Sequence, residues 1–226
     1  SLVESMLYYT GAIAKPELVA GGKTTSDFTE EEISRKISVH TALASTEWMG
    51  KRINILDTPG TADFIGEAIC SFRTTEAALM LVDARDGAQI ETIKLWRRLD
   101  TRNKPRAVFI NKMDKERANS RDVLDNLTEE FHSNFAPVTI PIGYAEDFRG
   151  VINLIENQAY KFNANGKEEI IPIPEDMSET VEQYREELIE KAAEGADDLI
   201  EKYFEEGTLN DDDIRRGLRE GLARNS

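Results

Sequence analysis

Two periods of apolar residues run along this chain. Ile37, Val39, Thr41 and Leu43 alternate with Ser38, His40 and Ala42, the period-two pattern of a half-buried strand, and predict a strand over residues 37–48. Gly50 and Lys51 turn it into a short apolar run, Ile53, Ile55 and Leu56, that stops at Asp57. Together these read as an antiparallel hairpin at a sheet edge. A helix is predicted over residues 63–73, then a strand over 77–82 ending at Asp83, then a turn at Asp86-Gly87. Ile90, Ile93, Leu95, Trp96 and Leu99 fall near helical spacing, and Ala107, Val108, Phe109 and Ile110 make a further strand behind Pro105. Ser120 stands where an N-cap is wanted, ahead of an inward row of Val123, Leu124, Leu127 and Phe131. Strand and helix in alternation predict an α/β fold, a largely parallel sheet with helices on both faces.

The rhythm changes after Asn134. Val138, Ile140 and Ile142 alternate up to Gly143, and residues 148–155 and 159–162 bracket a short helix and a strand. Asn165-Gly166 signals a hairpin between residues 160–162 and 169–173. A long amphipathic stretch over residues 178–204 buries Val181, Leu188, Ala192 and Leu199, with Gly195 as its expected break, and Asn210 caps a last helix that runs to Leu222. The chain therefore divides into a core, residues 1–134, and a small α+β lobe, residues 135–226. At the other end, Leu2, Val3, Met6 and Leu7 form a helical stripe at once, with no initiating methionine. The core is expected to be truncated ahead of that helix. Residues 15–29, with Pro16, Gly21 and Gly22, read as a polar loop.

Composition narrows the class. The 226 residues, 40% hydrophobic and 31% charged, suit a soluble globular protein, and no apolar run approaches a membrane span. The lone Cys70 excludes an internal disulfide and reads as a small buried hydrophobe. A net charge of −15 argues against wrapping nucleic acid on a basic stripe. The acid is uneven: 17 carboxylates lie between Glu175 and Glu220, against six basic residues and Arg224 just beyond. Such a run is a solvated helical face or a docking face for a basic partner.

Two strand ends carry the chemistry. Asp57-Thr58-Pro59-Gly60 places an acid and a glycine turn directly after a strand. That suits a carboxylate serving Mg²⁺ and a Gly60 N–H aimed at a terminal phosphate; the alternative is an aspartate that merely caps the next helix. Asn111-Lys112-Met113-Asp114 follows the second strand. Asp114 can accept two hydrogen bonds from the ring N–H and exocyclic amine of guanine, Asn111 can meet the base edge, and the stem of Lys112 can lie over the ring. The alternative is an ordinary polar loop. Ser38 offers a hydroxyl to a metal or sits on a strand surface. His40 and His132 lack companions at metal spacing, and Asp63 and Glu67 read as helix-surface acids. No GxxxxGK[ST] cradle occurs, and Gly21-Gly22-Lys23-Thr24 has the wrong context for one, so the chain alone is expected to bind GTP poorly.

With these motifs in place, the chain resembles the translational GTPases, closest to bacterial elongation factor G and its paralogues. Leu2, Val3 and Glu4 are similar to the helix that follows the family's phosphate loop, which is then expected upstream. Residues 31–38 resemble the first switch, with Ser38 where the family's Mg²⁺-binding threonine falls and Lys36 where it has glycine. Residues 57–60 match the second switch and residues 111–114 the guanine motif. Residues 135–226 resemble the subdomain inserted in the GTPase domain, which is then expected to continue past its C-terminal side.

The resemblance implies a P-loop GTPase-type fold with GTP or GDP and Mg²⁺ as ligands. It also implies a cytoplasmic factor that meets the ribosome, its RNA and its stalk protein, with no membrane and no DNA as partner. One position departs: Thr61 stands where the family has the histidine beside the attacking water, so Thr61 becomes the catalytic candidate and slow or differently triggered hydrolysis is expected. A ribosome-protection or peptide-release GTPase, or a nucleotide-dependent binding module with little hydrolysis, stays open beside this reading.

Overall fold

The computed structural model describes residues 2–133, 135–163 and 168–224. They divide into two compact units, one made of residues up to Ala78 with Lys94–Arg102, the other of Leu79–Ile93 with the described residues from Asn103 onward.

In the first unit, helix α1 (Leu2–Tyr9) lays Val3 and Leu7 on Ala44 of strand β1 (Ala42–Trp48), with Ile13 and Ile55 at the margin. Strand β1 pairs antiparallel with β2 (Lys51–Asp57), Ala42 opposite Asp57 and Trp48 opposite Lys51. The hairpin is the one read from the alternation, but its first strand starts at Ala42, not at Ile37. The reason is local competition for backbone donors. The N–H groups of Val39 and His40 each donate to Glu32 Oε1 at 3.0 Å, and that of Thr41 donates to Glu67 Oε2 at 2.8 Å. Donors held by carboxylates are lost to a sheet ladder.

Ahead of them lies a short helix, α2 (Glu30–Arg35), which follows directly on the stretch read as a polar loop. Thr29 and Glu32 close a reciprocal capping box at its start, which a Thr-x-x-Glu spacing allows. Helix α3 (Ile65–Ser71) is shorter than the predicted 63–73, because a 3₁₀ turn over Ala62–Phe64 precedes it. It buries Ala68 and Ser71, so Cys70 falls on the outer side and is exposed, contrary to the buried role expected of it. Trp96 and Leu99 are the buried residues of α4 (Ile90–Asp100).

In the second unit, β3 (Ala78–Asp83) pairs with β4 (Arg106–Asn111). Val82, Val108 and Ile110 pack against Val123 and Leu127 of α5 (Ser120–Phe131). The N-cap is Asn119 rather than Ser120; its Oδ1 accepts from the N–H of Arg121 at 3.0 Å and of Asp122 at 3.4 Å. Strands β5 (Thr139–Ile142), β6 (Gly150–Asn153), β7 (Gln158–Phe162) and β8 (Glu168–Ile171) form an antiparallel meander. Its inner residues Ile142, Ile152 and Leu154 join Leu188, Leu199 and Ile214 in the largest core. Those last three come from α6 (Ser178–Ala193), α7 (Asp197–Glu206) and α8 (Asp211–Arg224). Gly195 breaks the long helical stretch as its sequence suggests, whereas the Asn165-Gly166 hairpin signal lies outside the described residues.

The fold is α/β, but the described strands form three sheets instead of one largely parallel sheet. The pairs of two of them are antiparallel, since strands joined by short turns can pair only that way. No helix among the described residues is long and apolar enough to cross a membrane.

Candidate functional site

In the first unit, Asp57 ends β2 and is half-buried, with Pro59 buried two residues on. No protein atom lies within 4 Å of where a side chain on Gly60 would begin. The turn therefore keeps open the approach that a phosphate needs. Thr61 is the exposed residue ahead of the 3₁₀ turn Ala62–Phe64, and its side chain makes no capping hydrogen bond.

Ser38 is held differently from the strand position expected of it. Its hydroxyl donates to Asp27 Oδ1 at 2.7 Å, while the Thr24 hydroxyl donates to Asp27 Oδ2 at 3.2 Å. Thr24 and Asp27 are buried, so the Gly-Gly-Lys-Thr letters serve a packed loop. This loop is tied down by two further buried acids. Glu4 accepts from the N–H of Glu17 and of Thr25. Glu32 accepts from the N–H of Phe28, Thr29, Val39 and His40 and from the Thr29 hydroxyl. Burial pushes the Glu32 carboxyl up, but the His40, Val39 and Thr29 donors outweigh it and bring it down to about 2. Glu67, read as a surface acid, instead clasps the N–H of Thr41, and that contact lowers its pKa.

For Mg²⁺ the donor types fit: Ser38 and Asp57 carry oxygen atoms, the kind of ligand a hard cation requires. Among the described residues no group of three or more His, Cys, Asp or Glu side chains gathers to hold a metal. Mg²⁺ bound through one or two protein oxygens, with phosphate and water for the rest, asks for no such group.

In the second unit, Asn111 closes β4, and its Oδ1 accepts from the N–H of Lys112 at 2.8 Å. Its backbone oxygen accepts from Ala84 N–H at 2.9 Å, which ties the turn to the end of β3. Lys112 takes the left-handed conformation, φ 62°, uncommon for a lysine. Its ammonium donates to Asp83 Oδ2 at 2.8 Å. Asp114 is exposed and pairs with Lys115 at 2.9 Å, and the Lys115 contact holds its carboxyl below the usual range. The Met113 oxygen accepts from Ala145 N–H at 3.0 Å. Sequence reasoning placed Asp83 at a strand end without assigning it a task; its match to the strand-end position of Asp57 was the available signal. His40 and His132 are exposed, His132 as the C-cap of α5.

The family described as the elongation factor Tu GTP binding domain matches residues 1–210. Among solved structures, the crystal structure of ttk003000868 from Thermus thermophilus superposes with a TM-score of 0.90 at 30% sequence identity. That alignment covers 99% of this chain and 33% of the other, so the chain spans about a third of that protein's length. With a family match along most of its residues, the chain belongs to the elongation factor Tu GTP-binding domain family and thereby to the translational GTPases.

Proposed function

We propose that the full-length protein binds GTP and hydrolyses it as a cytoplasmic translation factor of the elongation factor G type, working on the ribosome. The observation that carries this reading is the Asn111-Lys112-Met113-Asp114 turn at the end of β4, fixed by Asn111 and by a left-handed lysine, with Asp114 exposed at its tip. In this reading Asp114 accepts the two guanine donors, Asn111 meets the base edge and Lys112 covers its face. Asp57 and Ser38 would hold Mg²⁺, which would supply positive charge against the phosphates; Ser38 now donates its hydroxyl to Asp27. The Gly60 N–H meets the terminal phosphate and Thr61 stands by the attacking water. Residues 1–134 form the GTPase core and residues 135–226 its inserted subdomain, with ribosomal RNA and the stalk protein as partners of the whole factor.

Base specificity tests this. Asp114→Asn in the full-length protein replaces one acceptor with a donor, and binding should move from guanosine toward xanthosine diphosphate. Titrations in which the variant keeps its guanosine preference would remove the base-site assignment. A second reading, a nucleotide-gated binding module with little hydrolysis, is favoured by one observation: Thr61 brings no imidazole. Ribosome-stimulated phosphate release by the protein or by Thr61→His supports the enzyme; GTP binding without release in either supports the module.

A further inference from the structure

Asp83 is the last residue of β3, and two cations converge on it. The Arg85 guanidinium binds it side-on, Nε to Oδ1 at 2.8 Å and Nη2 to Oδ2 at 2.7 Å, and the Arg85 N–H adds a bond to Oδ1 at 3.0 Å. The Lys112 ammonium, reaching from the end of the neighbouring strand, shares Oδ2 at 2.8 Å. The carboxylate is only 14% exposed, while the lysine side chain is 52% exposed. The backbone beneath is equally fixed: the Asp83 oxygen accepts from the N–H of Asp86 at 3.2 Å and of Gly87 at 3.1 Å, closing the turn that carries Arg85.

A lysine whose stem must lie flat on a ring has four side-chain bonds to immobilise, and an exposed lysine has nothing else to hold it. A carboxylate anchored by a guanidinium fork is a fixed point for its far end, whereas a free one would swing with the lysine. The Arg85 guanidinium keeps Asp83 well below the usual carboxylate range against the pull of burial, and Lys112 adds to it, so the anchor stays charged at any working pH.

We infer that Asp83 is a positioning residue for Lys112: it tethers the ammonium so that the lysine stem is already laid out to cover the face of a guanine held by Asp114. The inference rests on the guanine-site reading above. Its occupant is a guanosine nucleotide, and its effect is on the ring face, not on the base edge.

The test is a thermodynamic cycle on the full-length protein, reading dissociation constants for GDP and XDP. Asp83→Asn keeps the shape and removes the charge; Lys112→Met keeps the stem and removes the ammonium. Each alone should weaken GDP binding roughly three- to tenfold, the scale of coupling between directly paired groups. The double variant should be no weaker than Lys112→Met. The loss should be of similar size for XDP measured in the Asp114→Asn background, because a stem over the ring does not read the edge. Asp83→Asn without effect on GDP binding overturns the inference while leaving the guanine site intact. So does an additive double variant, which would show that Asp83 acts through the fold of its turn. If the unsubstituted protein binds no guanosine nucleotide, the guanine reading fails first and takes the inference with it.

Discussion

Glu32 is fully buried and yet charged, and five donors explain how both hold. A carboxylate in that position replaces water for the N–H groups on either side of it, so segments 28–29 and 39–40 are fastened to one side chain. Truncation would strand those donors. Glu32→Ala should cost about 1–3 kcal/mol, since it leaves the buried Val39 N–H unpaired while the more exposed donors can turn to water. Denaturant unfolding measures the loss, and amide exchange at Val39 and His40 should rise with it. An unchanged midpoint would mean that the loop refolds around the gap. The same residue shows what a sequence conceals. A glutamate in an acidic run reads as solvent-facing, and its capture of remote backbone donors has no periodicity. The candidates Asp57 and Asn111 each end a strand, and Gly60 and Asp114 follow within the next turn, so the abrupt stop of an apolar run drew the eye to them; Glu4, Asp27 and Glu32 lie inside loops and helices and give no such mark.

At the scale of elements, the patterns that survived are those in which burial sets the spacing. Strand β1 and helix α5 follow from it, while the break at Gly195 follows from its turn residue. Pattern failed where polar contacts override burial, as at Ile37 to Thr41. It also gave no hint of how α6 and α8 meet. A methyl group on Gly217 would sit 2.0 Å from the Ala192 oxygen and 3.0 Å from Leu199 Cδ1. One on Gly195 would lie 2.0 Å from the Gly217 oxygen. The two glycines thus let backbones touch without side chains between them, which a propensity scale scores only as weak helix. By propensity, Gly217→Ala would stabilise α8 by roughly 1 kcal/mol. Packing argues the opposite sign: overpacking costs about 1–3 kcal/mol, and the clash is with backbone that has no rotamer to yield. A lowered thermal midpoint for Gly217→Ala is expected; a raised one would show that α8 can slide away.

For the molecule as a whole, charge and titration separate two events that acid usually merges. The net charge is −15 at neutral pH, and the isoelectric point lies near 4.7. Much of the basic complement of the C-terminal helices is already spent on local acids: Lys191 with Glu194, Lys202 with Asp213, Arg215 with Glu156 and Arg216 with Asp198. What keeps molecules apart at pH 7 is therefore unpaired carboxylate, and mutual repulsion vanishes as those groups take up protons near pH 4.7. The carboxylates that hold structure titrate later. Glu32 goes from an ordinary value of 4.5 to about 2 on folding. Its contribution is thus complete above pH 4.5 and is lost only as pH falls from there toward 2. Glu4, Glu67 and Asp83 are lowered in the same direction. The sign follows: the unfolded chain binds more protons than the folded one across that window, so stability falls as pH falls. Turbidity should peak near pH 4.7 while far-ultraviolet circular dichroism of the supernatant stays native, and helical signal should collapse only below about pH 4. If ellipticity is instead lost together with solubility, the buried acids do not retain their charge in the folded chain, and the tether at Glu32 is weaker than its donors imply.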